Sequence, residues 1–307
     1  MRASAILSEP LAGLQAQAMG LAGAAGLQPQ VVALHPRAPW RWFAARTWPA
    51  PLRAVQVPDL GNAVLFTAGG TAGVVGAALR RPGRPVVQIQ HPRIDPARFD
   101  VVVVNRHDGL TGPNVVVTRT ALHPATPARL AQAAAEWAPR LAHLPRPLVA
   151  VLAGGSNGRF RLDAAVARAL GAQLAEMMRL DRVGLALTPS RRTSPEARAA
   201  LHGAIAPGGG WMWDMQGDNP YFGLLALADA IVVTEDSVSM VSEAAATRAP
   251  VLLAVLPGRS RRIRLFNRYL QEDGRIRSFA GRLETWPVTP VDDTQAAGDE
   301  VRRRLDL

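Results

Sequence analysis

Short apolar runs alternate with helix-like stretches along nearly the whole chain, and this order restricts the fold more than any other feature. Candidate strands lie at Ala3–Leu7, Gln30–Leu34, Ala63–Thr67, Pro85–Gln90, Phe99–Val104 and Asn114–Thr118. Several are apolar without polar alternation, as expected of strands covered by helices on both faces. Helical stretches accompany them at Leu14–Ala25, Thr71–Arg80 and Pro127–Ala142. A βαβα order predicts a parallel sheet.

The pattern then restarts. Pro147–Ala153 reads as a strand, followed by a Gly-rich turn and a helix over Leu162–Met178. Strands at Arg182–Leu187, Gly210–Asp214, Ala230–Val233 and Val251–Val255 alternate with helices at Pro195–Ala204, Tyr221–Ala228, Val238–Thr247 and Ser260–Gln271. The fold class is therefore α/β, with two Rossmann-like units in tandem. The Pro-rich stretch Leu144-Pro145-Arg146-Pro147 marks the expected boundary. The N-terminal domain spans 1–145 and the C-terminal domain 146–307, its arginine-rich tail free to pack back on the first. The segment Ala38–Pro51, with its Trp and Pro residues, yields no secondary-structure reading.

Composition narrows the function classes. The 307 residues are 48% hydrophobic and 19% charged, a globular balance. Without cysteine there is neither a disulfide framework nor a thiolate metal site. The six histidines show no metal-ligand spacing, so no metal is expected. All 35 basic residues are arginine, and the net charge is +11. Codon bias and anion binding both account for that, since guanidinium forks suit phosphate. Aromatics are only 5%, which argues against nucleic acid as a partner. No apolar run approaches the ~20 residues of a membrane span. The first residues read as a strand, because Glu9 and Pro10 interrupt the run too early for a signal peptide. The expected location is cytoplasmic, extending to the periphery of the inner membrane if the acceptor is envelope-associated.

Three strand ends in the second half carry the chemistry. After Val149–Ala153 comes Gly154-Gly155-Ser156-Asn157-Gly158, where glycine amides and two polar side chains can face a phosphate. A plain strand-to-helix turn explains the same glycines, and the spacing matches neither a Walker loop nor GxGxxG. The next strand ends in Ser190-Arg191-Arg192-Thr193-Ser194-Pro195. Ser194 or Thr193 suits a helix cap, which leaves the arginines to neutralise a diphosphate. The third, Thr234-Glu235-Asp236-Ser237-Val238-Ser239, opens a helix that carries Glu243. It is either a well-capped helix or an anion seat with a carboxylate for ribose hydroxyls. Asn219-Pro220-Tyr221 marks a loop able to flank a base or sugar. In the first half, His107 beside Asp108 is either a base with its orienter or a hydrogen-bonded loop pair.

Taken together, Gln88-Ile89-Gln90-His91-Pro92-Arg93, His107-Asp108-Gly109, Gly112-Pro113-Asn114, Ser190–Thr193 and Asp236–Met240 resemble the mitochondrial-fission elongated-mitochondria family, in its bacterial branch. The resemblance runs from Ser8 to about Gly281 and includes Arg275–Phe279. It implies a glycosyltransferase-B-like fold with a ligand cleft between the domains, the donor nucleotide-sugar binding mainly the C-terminal one. By position, Gly154, Gly155 and Ser156 match the phosphate-facing turn, Ser237 and Ser239 the second helix N-terminus, and Glu243 the ribose-gripping glutamate. Plant relatives recruit a dynamin-type GTPase to mitochondria, a role outside a bacterial protein's reach. The sequence departs from the family at Ser8–Leu14, where an arginine and a histidine are lost, and at Ala68–Thr71, where arginines would be expected.

The expected function is transfer of a sugar from a nucleotide-diphosphate donor to an unknown acceptor, with no separate cofactor. Asp108 and His107 are the candidate base. The donor-binding set is Gly154, Gly155, Ser156, Asn157, Ser190, Arg191, Arg192, Thr193, Asn219, Asp236, Ser237, Ser239 and Glu243. A non-catalytic scaffold that recruits a protein partner is the alternative, favoured by the altered N-terminal motifs and by Trp40, Trp42 and Trp48. A sugar-nucleotide epimerase is set aside for want of a dinucleotide fingerprint and a Tyr-x-x-x-Lys pair.

Overall fold

The computed structural model describes residues 2–307 and divides into two units. One runs up to Pro124 and resumes at Asp292–Leu307; the other is Ala125–Val291.

In the first unit, strands β1 (Ser4–Ser8), β2 (Gln30–Ala33), β3 (Val64–Ala68), β4 (Val86–Ile89), β5 (Val101–Asn105) and β6 (Val115–Thr118) form one parallel sheet in the order β2-β1-β3-β4-β5-β6. Helices α1 (Ala12–Ala24), α2 (Pro51–Ala54) and α3 (Gly70–Leu79) connect them. The fully buried strands β1, β3, β4 and β5 send alternate side chains to opposite faces. Leu7, Leu65 and Val102 join one core with Trp48 and Phe99, while Ile6, Phe66 and Val103 join the other with Leu21 and Val301.

The Trp-rich segment resolves into two 3-10 turns, Trp40–Trp42 and Ala45–Thr47, followed by α2. Its three tryptophans are not alike. Trp48 lies in the core at 7% exposure and meets Trp40 edge-on at 6.3 Å, whereas Trp42 is 67% exposed.

The second unit opens with α4 (Pro127–Leu141) and continues through β7 (Leu148–Ala153), α5 (Ala164–Asp181), β8 (Gly184–Pro189), α6 (Pro195–Ile205) and β9 (Trp211–Met212). Then come α7 (Tyr221–Leu227), β10 (Ala230–Thr234), α8 (Val238–Ala245), β11 (Val251–Ala254), α9 (Arg261–Glu272) and β12 (Ile276–Ser278). Its parallel sheet runs β12-β11-β10-β7-β8-β9. Counted from β7, that is the 3-2-1-4-5-6 order of a dinucleotide-type doubly wound sheet. The strand order reverses between β7 and β10, and sheets of this kind leave a crevice at the carboxyl ends of the two strands at that point.

The chain divides about twenty residues ahead of the Pro-rich stretch, between Pro124 and Ala125. The reason is the packing of α4. A thin helix-capping side chain, Thr126, starts it, and its Trp137 is buried against Gly223, where any Cβ would collide with the indole. The Pro145–Pro147 stretch is instead an internal connection, tied down by Arg146 to Leu227 O at 2.7 Å and to Asp229 at 2.9 Å.

The remaining helix, α10 (Thr294–Leu305), belongs to the first unit. Ala297 and Val301 enter its core, and Gly298 lets the helix approach the backbone of Ala24. The arginine-rich tail is thus the end of a docked helix. Arg119 and the carboxylate of Asp293 hold the crossing with hydrogen bonds of 2.5–3.2 Å. Among the described residues, no helix is long and apolar enough to cross a membrane.

Candidate functional site

The switch point of the second unit brings together the turns that follow β7, β8 and β10. Asp236, with its side chain fully buried, is the hub. Its carboxylate accepts from Thr234 Oγ1 at 2.7 Å, from the Gly155 amide at 3.3 Å and from Arg192 Nη2 at 2.7 Å. Arg192 also donates to Gly155 O at 3.2 Å, and the Gly154 amide donates to Thr234 Oγ1 at 2.8 Å. The Thr193 hydroxyl donates to Gly154 O.

This network assigns the glycines a different reason from anion approach. A Cβ at Gly154 would run into the Asp236 carboxylate, and one at Gly155 into the Arg192 backbone. The amides of both glycines are already engaged by protein side chains. Ser156 and Asn157 likewise close their own loop. Ser156 Oγ accepts from Leu162 N, while Asn157 Oδ1 accepts from Arg159 N and Phe160 N, each at 2.9 Å. Ser190 Oγ accepts from Arg192 N at 3.1 Å, and Ser194 caps α6. Of the two arginines, Arg192 is half-committed to Asp236 and Arg191 stands exposed.

Beyond β10 the chain enters α8, whose N-cap Ser237 accepts from Met240 N at 3.4 Å. Ser239 lies half-buried in the first turn, so the helix presents a hydroxyl-lined positive dipole end. Glu243 follows a little over one turn later and is 7% exposed. The Tyr221 hydroxyl donates to its Oε2. Burial raises the Glu243 carboxyl to about 7, against the lowering effects of that hydrogen bond and of the Arg129 charge. Burial, and then the Glu243 charge, push the Tyr221 phenol well above its ordinary value. Arg129 itself lies over the Phe222 ring, 3.9 Å from its centroid. Asn219 supports this corner by accepting from Tyr221 N at 3.0 Å.

The Tyr221–Glu243 pair and its Arg129 neighbour are the features that sequence reading missed. Their positions lie on three separate helices, and no local pattern signals that α4, α7 and α8 converge. Arg275 is another such residue. Buried at 2% exposure, its guanidinium donates to the carbonyls of Ala244, Ala245, Thr247 and Ala249 at 2.9–3.1 Å, closing the C-terminal end of α8. Its burial lowers its pKa to about 10.

In the first unit, His107 and Asp108 occupy a 3-10 turn after β5. Asp108 accepts from Asn105 N at 3.3 Å, completing a capping box, and His107 Nδ1 lies 2.7 Å from Asn105 Oδ1. His107 Nε2 is 3.8 Å from Asp108 Oδ1, with both side chains under a tenth exposed. The pair shapes this turn. Beside it, Gln88 is fully buried, accepting from Thr67 Oγ1 at 2.6 Å and donating to the carbonyls of Gly69, Ile89 and Gln90. Gln90, at φ 68°, reaches Gln17 with an amide–amide contact of 3.3 Å. Among the described residues, no group of three or more side chains is arranged to hold a metal ion.

The profile of the Mitochondrial fission ELM1 family matches residues 12–305. The chain belongs to that family. It is similar to the mitochondrial fission protein ELM1 of Arabidopsis thaliana, 34% identical over 72% of this chain and 58% of the relative. An uncharacterized protein of Rickettsia prowazekii is 26% identical over 59% of this chain and 52% of its own length. The chain thus spans little more than half the length of the curated relatives it matches. Its fold is similar to that of the UDP-GlcNAc 2-epimerase from Methanocaldococcus jannaschii, with a TM-score of 0.59 at 12% identity and 100% of both chains covered. A Medicago truncatula structure, UGT71G1 complexed with UDP-glucose, gives 0.50 at 12% identity, covering 98% of this chain and 89% of that one. The fold is the tandem Rossmann-like, glycosyltransferase-B-like one.

Proposed function

We propose that this chain binds a nucleotide-diphosphate sugar at the carboxyl ends of β7 and β10 and transfers its sugar to an acceptor. One observation carries the proposal: a nearly buried carboxylate, Glu243, stands behind a helix N-terminus and is held by a phenol. Such a group has no need of solvent to be satisfied, yet its remaining acceptor capacity suits a pair of ribose hydroxyls. The diphosphate would meet the first turn of α8, with Ser237 and Ser239, and the exposed Arg191. Gly154, Gly155 and Asp236 serve as the frame that holds these parts, rather than as the phosphate cradle. For the acceptor hydroxyl, the proposed base is His107 with Asp108, whose turn must loosen to receive it.

Epimerisation now belongs beside transfer. The expectation that set it aside assumed a dinucleotide-dependent enzyme, whereas a solved UDP-GlcNAc 2-epimerase is similar in fold to this chain. A second reading, a scaffold for a protein partner, is favoured by Trp42 and Phe43, adjacent and 67% and 60% exposed.

The test is a thermal-shift screen against UDP-, GDP-, ADP- and CMP-sugars and the free nucleotides, followed by product analysis with the sugar that binds. Selective stabilisation by one base is expected, and Glu243→Ala should weaken that binding by ~1–3 kcal/mol through loss of buried hydrogen bonds. The carboxylate accepts from two hydroxyls better than the acid does, so affinity should rise as pH increases through about 7. Absence of any shift at saturating nucleotide would leave the scaffold reading.

A further inference from the structure

The first unit contains a second charged feature at the opposite end of its sheet. A cavity of about 770 Å³ opens at the amino ends of β4 and β5, lined by Arg2, Arg80, Arg81, Arg98 and Arg304 with Asp100 as the one carboxylate. Asp100 is already engaged. It accepts from Arg80 Nε and Nη2 at 3.0 and 2.8 Å and from Val86 N at 2.7 Å. Arg304 shares Glu300 with Arg303 and also donates to Pro113 O at 2.9 Å. Among the described residues, the other three pair with no carboxylate. There Arg2 reaches Gly83 O at 3.4 Å, Arg81 binds Gly61 O and Asn62 at 3.0 and 3.1 Å, and the exposed Arg98 guanidinium has no partner.

We propose that this cavity binds a compact ligand carrying two or more phosphate groups and no nucleobase. Three guanidiniums without carboxylates, converging on one concavity, call for a dense negative charge, and their planar forks match phosphate oxygens. No aromatic ring lines the cavity, so it offers no platform on which a base could stack. Gly83, at φ 81°, turns the chain between Arg81 and Arg84 at the cavity wall. Clustered phosphates of this kind occur in soluble polyphosphates and in the two-phosphate headgroup of cardiolipin. The cavity lies at the amino ends of its strands, so it is separate from the nucleotide reading and stands without it.

The test titrates the full chain with inorganic tripolyphosphate by calorimetry and, in parallel, sediments it with phosphatidylcholine vesicles that contain or lack cardiolipin. Wild type is expected to bind tripolyphosphate, cardiolipin vesicles or both, but not phosphatidylcholine alone. The double variant Arg2→Gln/Arg98→Gln should bind at least tenfold more weakly, Arg98→Lys should keep only part of the affinity, and Arg168→Gln, an exposed arginine of α5 in the second unit, should match wild type. Binding of tripolyphosphate identifies a soluble ligand, and binding of cardiolipin vesicles alone identifies a headgroup. If neither probe binds, or if the double variant binds as wild type does, the proposal is wrong. Arg98→Gln alone decides the matter should the double variant melt abnormally, because the exposed Arg98 guanidinium has no partner among the described residues.

Discussion

Both units are six-stranded parallel sheets with helical connections, yet they finish their carboxyl strand ends with different chemistry. In the first, buried amides do the work: Gln88 bridges Thr67 and three backbone carbonyls, and Gln90 meets Gln17. In the second, ionisable groups do it: Asp236 gathers Thr234, Gly155 and Arg192, and Glu243 holds Tyr221. An amide can be fully satisfied without charge, so its surroundings stay the same at every ordinary pH. A buried carboxylate leaves a field that either a guanidinium, a proton or a ligand must answer. Glu243 is therefore the carboxylate at these strand ends where pH should be felt.

Removing the hub of the charged network should have the largest effect. Asp236→Ala leaves a buried hydroxyl, an amide and a guanidinium without their acceptor, and should cost about 2–4 kcal/mol in denaturant unfolding. Part of the Arg192 loss is recovered by solvent, since that side chain is 40% exposed. A cost below 1 kcal/mol would show that the network is decoration.

Glu243→Gln should come next, through its pH dependence. The carboxyl sits at about 7 in the folded protein against an ordinary 4.5, so the native state holds the proton more tightly. Its stabilising effect is complete below about 4.5 and is lost as pH rises towards 7. The variant should lack that slope, a difference of about 3 kcal/mol by pH 8. Equal slopes in both proteins would mean that Glu243 is ionised in the fold.

Gln88→Leu, on the amide side, should cost about 1–2 kcal/mol for the orphaned Thr67 hydroxyl and carbonyls. Unlike the previous variant, it should shift stability equally at pH 5 and pH 9. A pH-dependent shift would erase the distinction between the units. Smallest of all, Gln90→Gly relieves a side chain held at φ 68° and should stabilise by a few tenths of a kcal/mol up to about 1, read from the denaturation midpoint.

Much of this frame was legible in the sequence because uninterrupted apolar runs and capped helices are local signals. The run Val149–Ala153 and Ser194-Pro195 mark β7 and the start of α6 within a residue or two. The strand β12 escaped, since three residues, one of them buried, make no pattern. The candidate site was legible as a set of strand ends but not as a network. Gly154 and Asp236 are eighty-two positions apart, and nothing near either one announces that the carboxylate fills the space a side chain would need. Nor does the sequence separate the roles of the adjacent arginines 191 and 192, which only the direction of each side chain distinguishes.

The first unit leaves its own sheet at Pro124 and is completed only by α10, whose Ala297 and Val301 seal the core behind β1, β3 and β5. On a translating ribosome the order of synthesis and the order of folding must then diverge. The strands made earliest emerge without their final cover, and the whole second unit is synthesised before residues 294–305 appear. At ~5–20 residues per second, the 167 residues of Ala125–Val291 hold that face open for roughly 8–33 seconds. The half of the molecule that is born first matures second, and over that interval a chaperone has its opportunity.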